Sequence, residues 1–217
     1  MTGKIQKHLW ADLASAPASP GVYAWYYSPL ITDYDLDAAI FDIQTKRDES
    51  RTEAEFSAKT LLEDRIFKQF REEPYKAVVQ GPLKPTYSGS LEHAFEVSPG
   101  LISRVVDDPE RLRSLRDILD LSAPMFASPL YIGMSINLRT RLSRHKSLIE
   151  KYRVSSLNEI PPKNGSDAGF AWQIAKRQMP PDRLFVFTCA IGNNDEDTAI
   201  DIENVLNRLY YPILGRN

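Results

Sequence analysis

A single cysteine, Cys189, in a chain of 217 residues leaves no disulfide framework and no thiolate metal site. Cys189 lies inside the apolar run 184–191 and reads as core filling, which suits a reducing cytoplasm. No apolar run approaches the roughly 18 residues of a membrane helix. The start, Met1-Thr2-Gly3-Lys4, lacks the apolar stretch of a signal peptide, so a soluble cytoplasmic protein without membrane contact is expected. Histidine is scarce as well: His8, His93 and His145 form no Cys/His cluster, which argues against zinc. His8 and His93 have no partner at a recognisable spacing and read as structural or surface residues. Internal repeats and low-complexity segments are absent. Strong net charge is absent too, and at −2 the chain has no overall attraction for nucleic acid. Its 42% hydrophobic content suffices for the core of one domain, or of a small domain carrying a large insertion.

The small total hides an uneven division. Residues 131–177 carry nine Lys/Arg against three Asp/Glu, whereas residues 24–129 carry thirteen against nineteen. Charges more than about 10 Å apart are largely screened at about 0.1 M salt, so the local balance governs attraction to phosphate. Arg139, Arg144, Lys146, Lys151, Arg153, Lys163, Lys176 and Arg177 supply a basic region suited to a nucleic-acid backbone. The acidic segment suits a cover over the site or a protein partner at least as well as direct DNA contact.

Periodicity and breakers predict an α/β fold. Residues 1–19 read as a short helix or arm on Ile5, Leu9, Trp10 and Leu13, closed by Pro17 and Pro20. Residues 21–27 read as a strand rich in aromatics, and residues 36–73 as helical up to Pro74. Residues 77–79 suit a short strand. A helix is expected from Asp107 or Asp108, with Pro109 in its first turn, to about Leu121 and Pro124. Strands at 129–133 and 184–191 and helices at 137–152, 168–178 and 196–209 complete the pattern.

Chemistry concentrates in the second half. Leu130-Tyr131-Ile132-Gly133 runs into a turn and then a helix bearing Arg141 and His145 four residues apart. On that helix Leu138, Leu142 and Ile149 define an apolar stripe, with His145 near its centre and Arg141 about 40° further round. Arg141 therefore suits the edge of the core, where its planar fork can grip phosphate. Glu203 shares a helix face with Ala199, Leu206 and Tyr210; a carboxylate there is costly unless it is paired or metal-bound. Mg²⁺ takes one or two carboxylates and keeps several waters, which fits a lone Glu; an ion pair to a core Arg is the structural alternative. Phosphodiester hydrolysis needs an activated water, neutralised phosphate oxygens and help for the leaving oxygen. A phenol, with an ordinary pKa near 10, acts as base near neutrality only when cations stabilise its anion or a neighbour takes its proton.

Gly21-Val22-Tyr23 and Tyr131-Ile132-Gly133 resemble the two half-motifs of the GIY-YIG nuclease superfamily. Its members carry an Arg about ten residues after the second Tyr and often a His four residues later, matched by Arg141 and His145. A helix Glu and a final Asn after a Pro-containing stretch are matched by Glu203 and Asn217. The resemblance covers residues 20–27 and 129–217. It implies a small core with a three-stranded mixed or antiparallel sheet flanked by helices. Residues 1–27 would form an N-terminal arm and first strand, 28–128 a mainly helical insertion between the first two strands, and 129–217 the rest of the core. The half-motifs are normally joined by a short hairpin, whereas more than a hundred residues separate Tyr23 from Tyr131 here. Tyr87-Ser88-Gly89 resembles a second half-motif, but no Arg follows at the matching offset.

The resemblance further implies a DNA endonuclease using Mg²⁺ or Mn²⁺ on Glu203, with Tyr23, Tyr131, Arg141, His145, Glu203 and Asn217 as its site. One of Tyr23 and Tyr131 would activate water while the other holds phosphate or backs up the base; His145 would relay protons or orient phosphate. The rival from another class is a non-catalytic DNA- or protein-binding module that keeps the fold. Either requires Tyr23 and Tyr131 on adjacent strands.

Overall fold

The computed structural model describes residues 4–82, 86–92, 96–154, 167–191 and 196–215. Along the chain run β1 (Ile5–Leu9), β2 (Gly21–Tyr27), α1 (Asp33–Glu49), α2 (Arg51–Leu62), β3 (Tyr75–Val79), β4 (Tyr87–Leu91), α3 (Pro99–Asp107), α4 (Arg111–Phe126), β5 (Tyr131–Ser135), α5 (Leu138–Val154), α6 (Asp167–Lys176), β6 (Leu184–Ala190) and α7 (Glu196–Tyr210). They fall into two compact units, Met1–Ile31 with Arg113–Asn217, and Thr32–Leu112. No described helix is long and apolar enough to cross a membrane.

The first unit is built on a wholly antiparallel sheet of four strands in the order β1-β6-β2-β5. The fourth strand corrects the expectation of three, and of an N-terminal helix. Ile5 and Leu9, whose spacing mimics a helix face, lie on the exposed side of β1, and the one residue of that strand that is buried is His8. Its imidazole joins Ser15 Oγ at 2.9 Å and Thr188 Oγ1 at 3.0 Å, tying the strand to β6 and to the 3₁₀ turn Trp10–Ser15. A polar anchor of this kind leaves no apolar alternation to read in the sequence.

Strand β2 is central and buried along most of its length, as its Val and aromatic content suits. Directly opposed residues point to the same face. The pairings Tyr23↔Gly133, Trp25↔Tyr131, Tyr23↔Thr188 and Trp25↔Val186 therefore gather Tyr23, Trp25, Tyr27 and Tyr131 on one side. Helix α5 buries Leu138, Leu142, His145 and Ile149, and Asn137 caps it by accepting from Thr140 N–H at 3.0 Å. Beside it α6 brings Phe170 to 5.8 Å from Trp25 and 5.0 Å from Tyr131 between ring centres. Helix α7 lies along β5 and β2. Its apolar face is shallower than the sequence suggests, because Ala199 is buried while Tyr210 is exposed. Cys189 is half-buried rather than a core residue.

Two further boundaries differ. Helix α4 runs through Pro124 to Phe126, since a proline near a helix end forfeits one hydrogen bond without breaking what precedes it. It starts at Arg111 because Asp107 already ends α3, which has Pro99 in its first turn.

In the second unit, Thr32 and Asp35 form a capping box at the start of α1. Helices α1 and α2 bury Leu36, Ile40 and Ile43 and Ala54, Ala58 and Leu62, and α3 packs on α2 with Arg51 paired to Asp107 at 2.8 Å. Strands β3 and β4 make an exposed two-stranded ribbon. Tyr87-Ser88-Gly89 belongs to that ribbon.

Gly21 opens β2 hard against the backbone of β6. An added Cβ would lie 2.4 Å from the Cys189 carbonyl oxygen and 2.8 Å from Leu138 Cδ1, and the carbonyl cannot step aside without bending β6. Gly21→Ala is expected to cost about 2 kcal/mol or more, as overpacking against backbone does. Urea titration of the two proteins measures it; equal midpoints would show that the approach is not tight.

Candidate active site

Hydrogen bonds on one buried hydroxyl organise the site. Tyr23 Oη accepts from Arg141 Nε at 3.2 Å and lies 3.2 Å from His145 Nε2. Both partners come from α5, one turn apart, so the helix stripe delivers them to the same atom. Tyr131, on the neighbouring strand, stands with its ring centre 6.2 Å from that of Tyr23. Gly133 is what lets the two phenols approach, since a Cβ there would fall 2.6 Å from Tyr23 Oη and 2.9 Å from Tyr131 Cε1. The His145 ring is enclosed by aromatics, stacked on Trp25 at 6.0 Å and meeting Phe170 at 5.2 Å and Tyr131 at 5.8 Å.

A residue that the sequence analysis did not single out completes the cluster. Asp167, at the start of α6, is almost fully buried. Its Oδ1 lies 3.0 Å from His145 Nε2, and its Oδ2 lies 2.9 Å from Arg141 Nη1 and 3.5 Å from Arg144 Nε. An Asp in a first helical turn reads as a dipole-complementing residue, and that bland explanation hides it. No periodicity links α6 to α5.

Burial dominates the protonation equilibria. It pushes the Tyr23 hydroxyl well above its ordinary pKa, with Tyr131 adding to the rise and Arg141 opposing it. Tyr131 is raised too, chiefly by burial, with Arg141 and the Tyr23 hydroxyl pulling it down. The His145 pKa is lowered by burial against the pull of Asp167. Burial also works against ionised Asp167, yet the His145 hydrogen bond and the charges of Arg141 and Arg144 hold it below the ordinary carboxylate range.

Glu203 is half-buried on α7, and burial raises its pKa while the Arg141 charge lowers it; Tyr131 in turn feels the Glu203 charge. Among the described residues Glu203 makes no hydrogen bond or ion pair, so no Arg neutralises it in direct contact. No group of three or more His, Cys, Asp or Glu among them could hold a metal ion. A lone, partly desolvated carboxylate fits a hard cation that keeps most of its waters, such as Mg²⁺ or Mn²⁺.

The structure thus brings together Tyr23, Tyr131, Arg141 and His145, with Glu203 within electrostatic reach. Asn217 lies outside the described residues, as do His93 and Lys163. Leu214 N–H donates to the Leu130 carbonyl at 2.7 Å, which tethers the C-terminal segment beside β5. The basic residues are more engaged than their charge suggests. Arg139 donates to the Ala16 carbonyl and Arg153 to that of Met179, while Lys146 reaches the Trp10 carbonyl and lies over its ring. Lys151 and Lys176 lie over Tyr152 and Trp172, and Arg177 bonds Gln173. Arg144, 68% exposed, adjoins the site directly. Arg141 presents an open edge: its side chain is one-third exposed, at 33%, and Nη2 has no partner among the described residues.

Because the folded-state pKa of His145 lies below its ordinary 6.5, the unfolded chain takes up this proton first on acidification. The fold therefore loses stability as pH falls below about 6.5, and His8 acts in the same direction. Urea midpoints between about pH 7 and pH 5 are expected to fall less steeply for His145→Gln than for the wild type. Parallel slopes would mean that His145 is not held neutral. No family model, no curated protein and no solved structure matches the chain.

Proposed function

We propose that the chain is a divalent-metal-dependent endonuclease of the GIY-YIG type, hydrolysing phosphodiester bonds in DNA. The observation that carries this reading is the meeting of Arg141 and His145 on the Tyr23 hydroxyl, beside Tyr131 on the adjacent strand. A purely structural core has no need of two phenols, an imidazole and a guanidinium with one free edge.

Each part has a chemical role. The exposed edge of Arg141 grips a non-bridging phosphate oxygen and meets the charge that grows there during attack. Arg144 adds a second cation at the rim. Tyr23 and Tyr131 orient the water; one of them first loses its own proton to solvent and, as phenolate, takes up the proton of the attacking water, and Arg141 offsets part of the burial that opposes that ionisation. Glu203 would hold Mg²⁺ or Mn²⁺. Such an ion, when bound, supplies charge neutralisation at the phosphate and stabilises the departing oxygen.

The basic residues of α5 and α6 support contact with a nucleic-acid backbone, and DNA as the substrate follows from the family resemblance. The acidic balance of residues 24–129 and the exposed β3–β4 ribbon favour a protein partner or a cover for that part of the chain.

Purified protein with Mg²⁺ or Mn²⁺ is expected to nick or cut plasmid, branched or single-stranded DNA. Glu203→Ala abolishes the cleavage, and Arg141→Ala lowers kcat by about 100-fold or more, the scale of losing a donor to developing charge. Full activity of Glu203→Ala would defeat the metal assignment. DNA binding without cleavage by the wild type, under every ion and substrate, would favour a non-catalytic module.

A further inference from the structure

Asp167 has no counterpart in the family pattern, and its contacts decide a question that the phenols alone leave open. Two arrangements of the His145 proton compete. With the proton on Nδ1, the Nε2 lone pair would face the Asp167 carboxylate at 3.0 Å, and the Nδ1–H would be a buried donor. Nδ1 is buried and has no hydrogen-bond partner among the described residues. A buried N–H without an acceptor and a lone pair against a carboxylate are both unfavourable. With the proton on Nε2, the N–H points at Asp167 Oδ1 and is shared with Tyr23 Oη at 3.2 Å. The bare Nδ1 then sits among apolar rings at little cost. An imidazolium would restore the orphan donor, so the neutral ring is retained.

We infer that Asp167 is a positioning residue that keeps the His145 proton on Nε2 and thereby sets the direction of the hydrogen-bond chain through Tyr23 toward Tyr131. Tyr23 Oη receives two donors, Arg141 Nε–H and His145 Nε2–H. Its own proton is then left for the side where Tyr131 stands, 6.2 Å away between ring centres, and a bond donated there is what lowers the Tyr131 pKa. His145 is then not the base that takes the Tyr23 proton. Tyr23 stays a neutral donor, and Tyr131, whose own proton neither Tyr23 nor His145 receives, is the phenol that ionises. The same carboxylate braces Nη1 of Arg141 through its other oxygen, leaving Nη2 as the edge for phosphate. The catalytic consequence rests on the hydrolase reading; the tautomer does not.

Asp167→Asn reverses this in a defined way. Arg141 and Arg144 are charged donors and hold the amide oxygen on their side, which turns the amide N–H₂ toward His145 Nε2. The ring must then carry its proton on Nδ1. Nitrogen-15 NMR of the full chain, with the His145 signals assigned by their loss in His145→Gln, reads the tautomer directly. The wild type is expected as neutral Nε2–H, Asp167→Asn as Nδ1–H, and Asp167→Glu as Nε2–H again. In parallel, kcat on cleaved DNA is expected to fall about 100-fold or more in Asp167→Asn with KM changed little, as when a triad carboxylate is replaced by its amide.

A wild-type ring protonated on Nδ1, or an imidazolium near neutral pH, overturns the proposal without any variant, as does an Asp167→Asn ring that keeps Nε2–H. A tautomer switch with undiminished kcat overturns the positioning role. Should the wild type cut no DNA, the hydrolase reading fails while the NMR result still decides what Asp167 does.

Discussion

The pairing of Tyr23 with Gly133 is the constraint on which the site depends. It puts a large aromatic opposite a residue with no side chain, so the two half-motif tyrosines share one face without colliding. More than a hundred residues lie between them in the chain. Such a separation costs little in loop-closure terms, because that entropy grows with the logarithm of length. Of the intervening chain, Thr32–Leu112 is a compact unit with its own helical core, whereas the chain from Arg113 onward belongs to the unit that carries the sheet. What must be kept is the register of β2 against β5, since a shift of one residue would send Tyr131 to the other face.

Around that pairing, desolvation sets the electrostatics and a few charges moderate it. Burial favours neutral phenols, a neutral imidazole and a protonated Glu203. Arg141 is the cation that opposes this at the two tyrosines and at Glu203. Asp167 remains ionised despite its depth because three donors point at its two oxygens. The buried charge is therefore compensated on the spot, and among the described residues the groups left over are the Nη2 edge of Arg141 and the carboxylate of Glu203, with the exposed Arg144 only loosely held by Asp167. An anion and a hard cation are what such a remainder attracts.

Much of this is legible in the sequence. The spacing of Leu138, Leu142 and Ile149 places His145 in the core and Arg141 at its edge, and the helix behaves so. The aromatic run of β2 and the apolar run of β6 read as strands because propensity and burial agree there. Strand β1 was not legible, for its one buried side chain is a histidine whose partners, Ser15 and Thr188, lie in other elements. Nor was the depth of α7, whose apolar residues are only partly covered. The basic stretch after Tyr131 reads as a surface for phosphate, but Arg139, Lys146 and Arg153 also fasten α5 to surrounding carbonyls.

Asp167 marks the limit most sharply. Its type and place at a helix start are ordinary, and nothing local distinguishes it from a capping acid. The sequence by itself determined which face of α5 turns inward, and so that His145 lies in the core with Arg141 at its edge, because periodicity is written within a single element. Only the tertiary structure decided that a carboxylate from α6 lies between Arg141 and His145, and that a fourth strand closes the sheet. Those arrangements arise where polar groups from separate elements meet without water and must satisfy one another, and no spacing along the chain encodes that meeting.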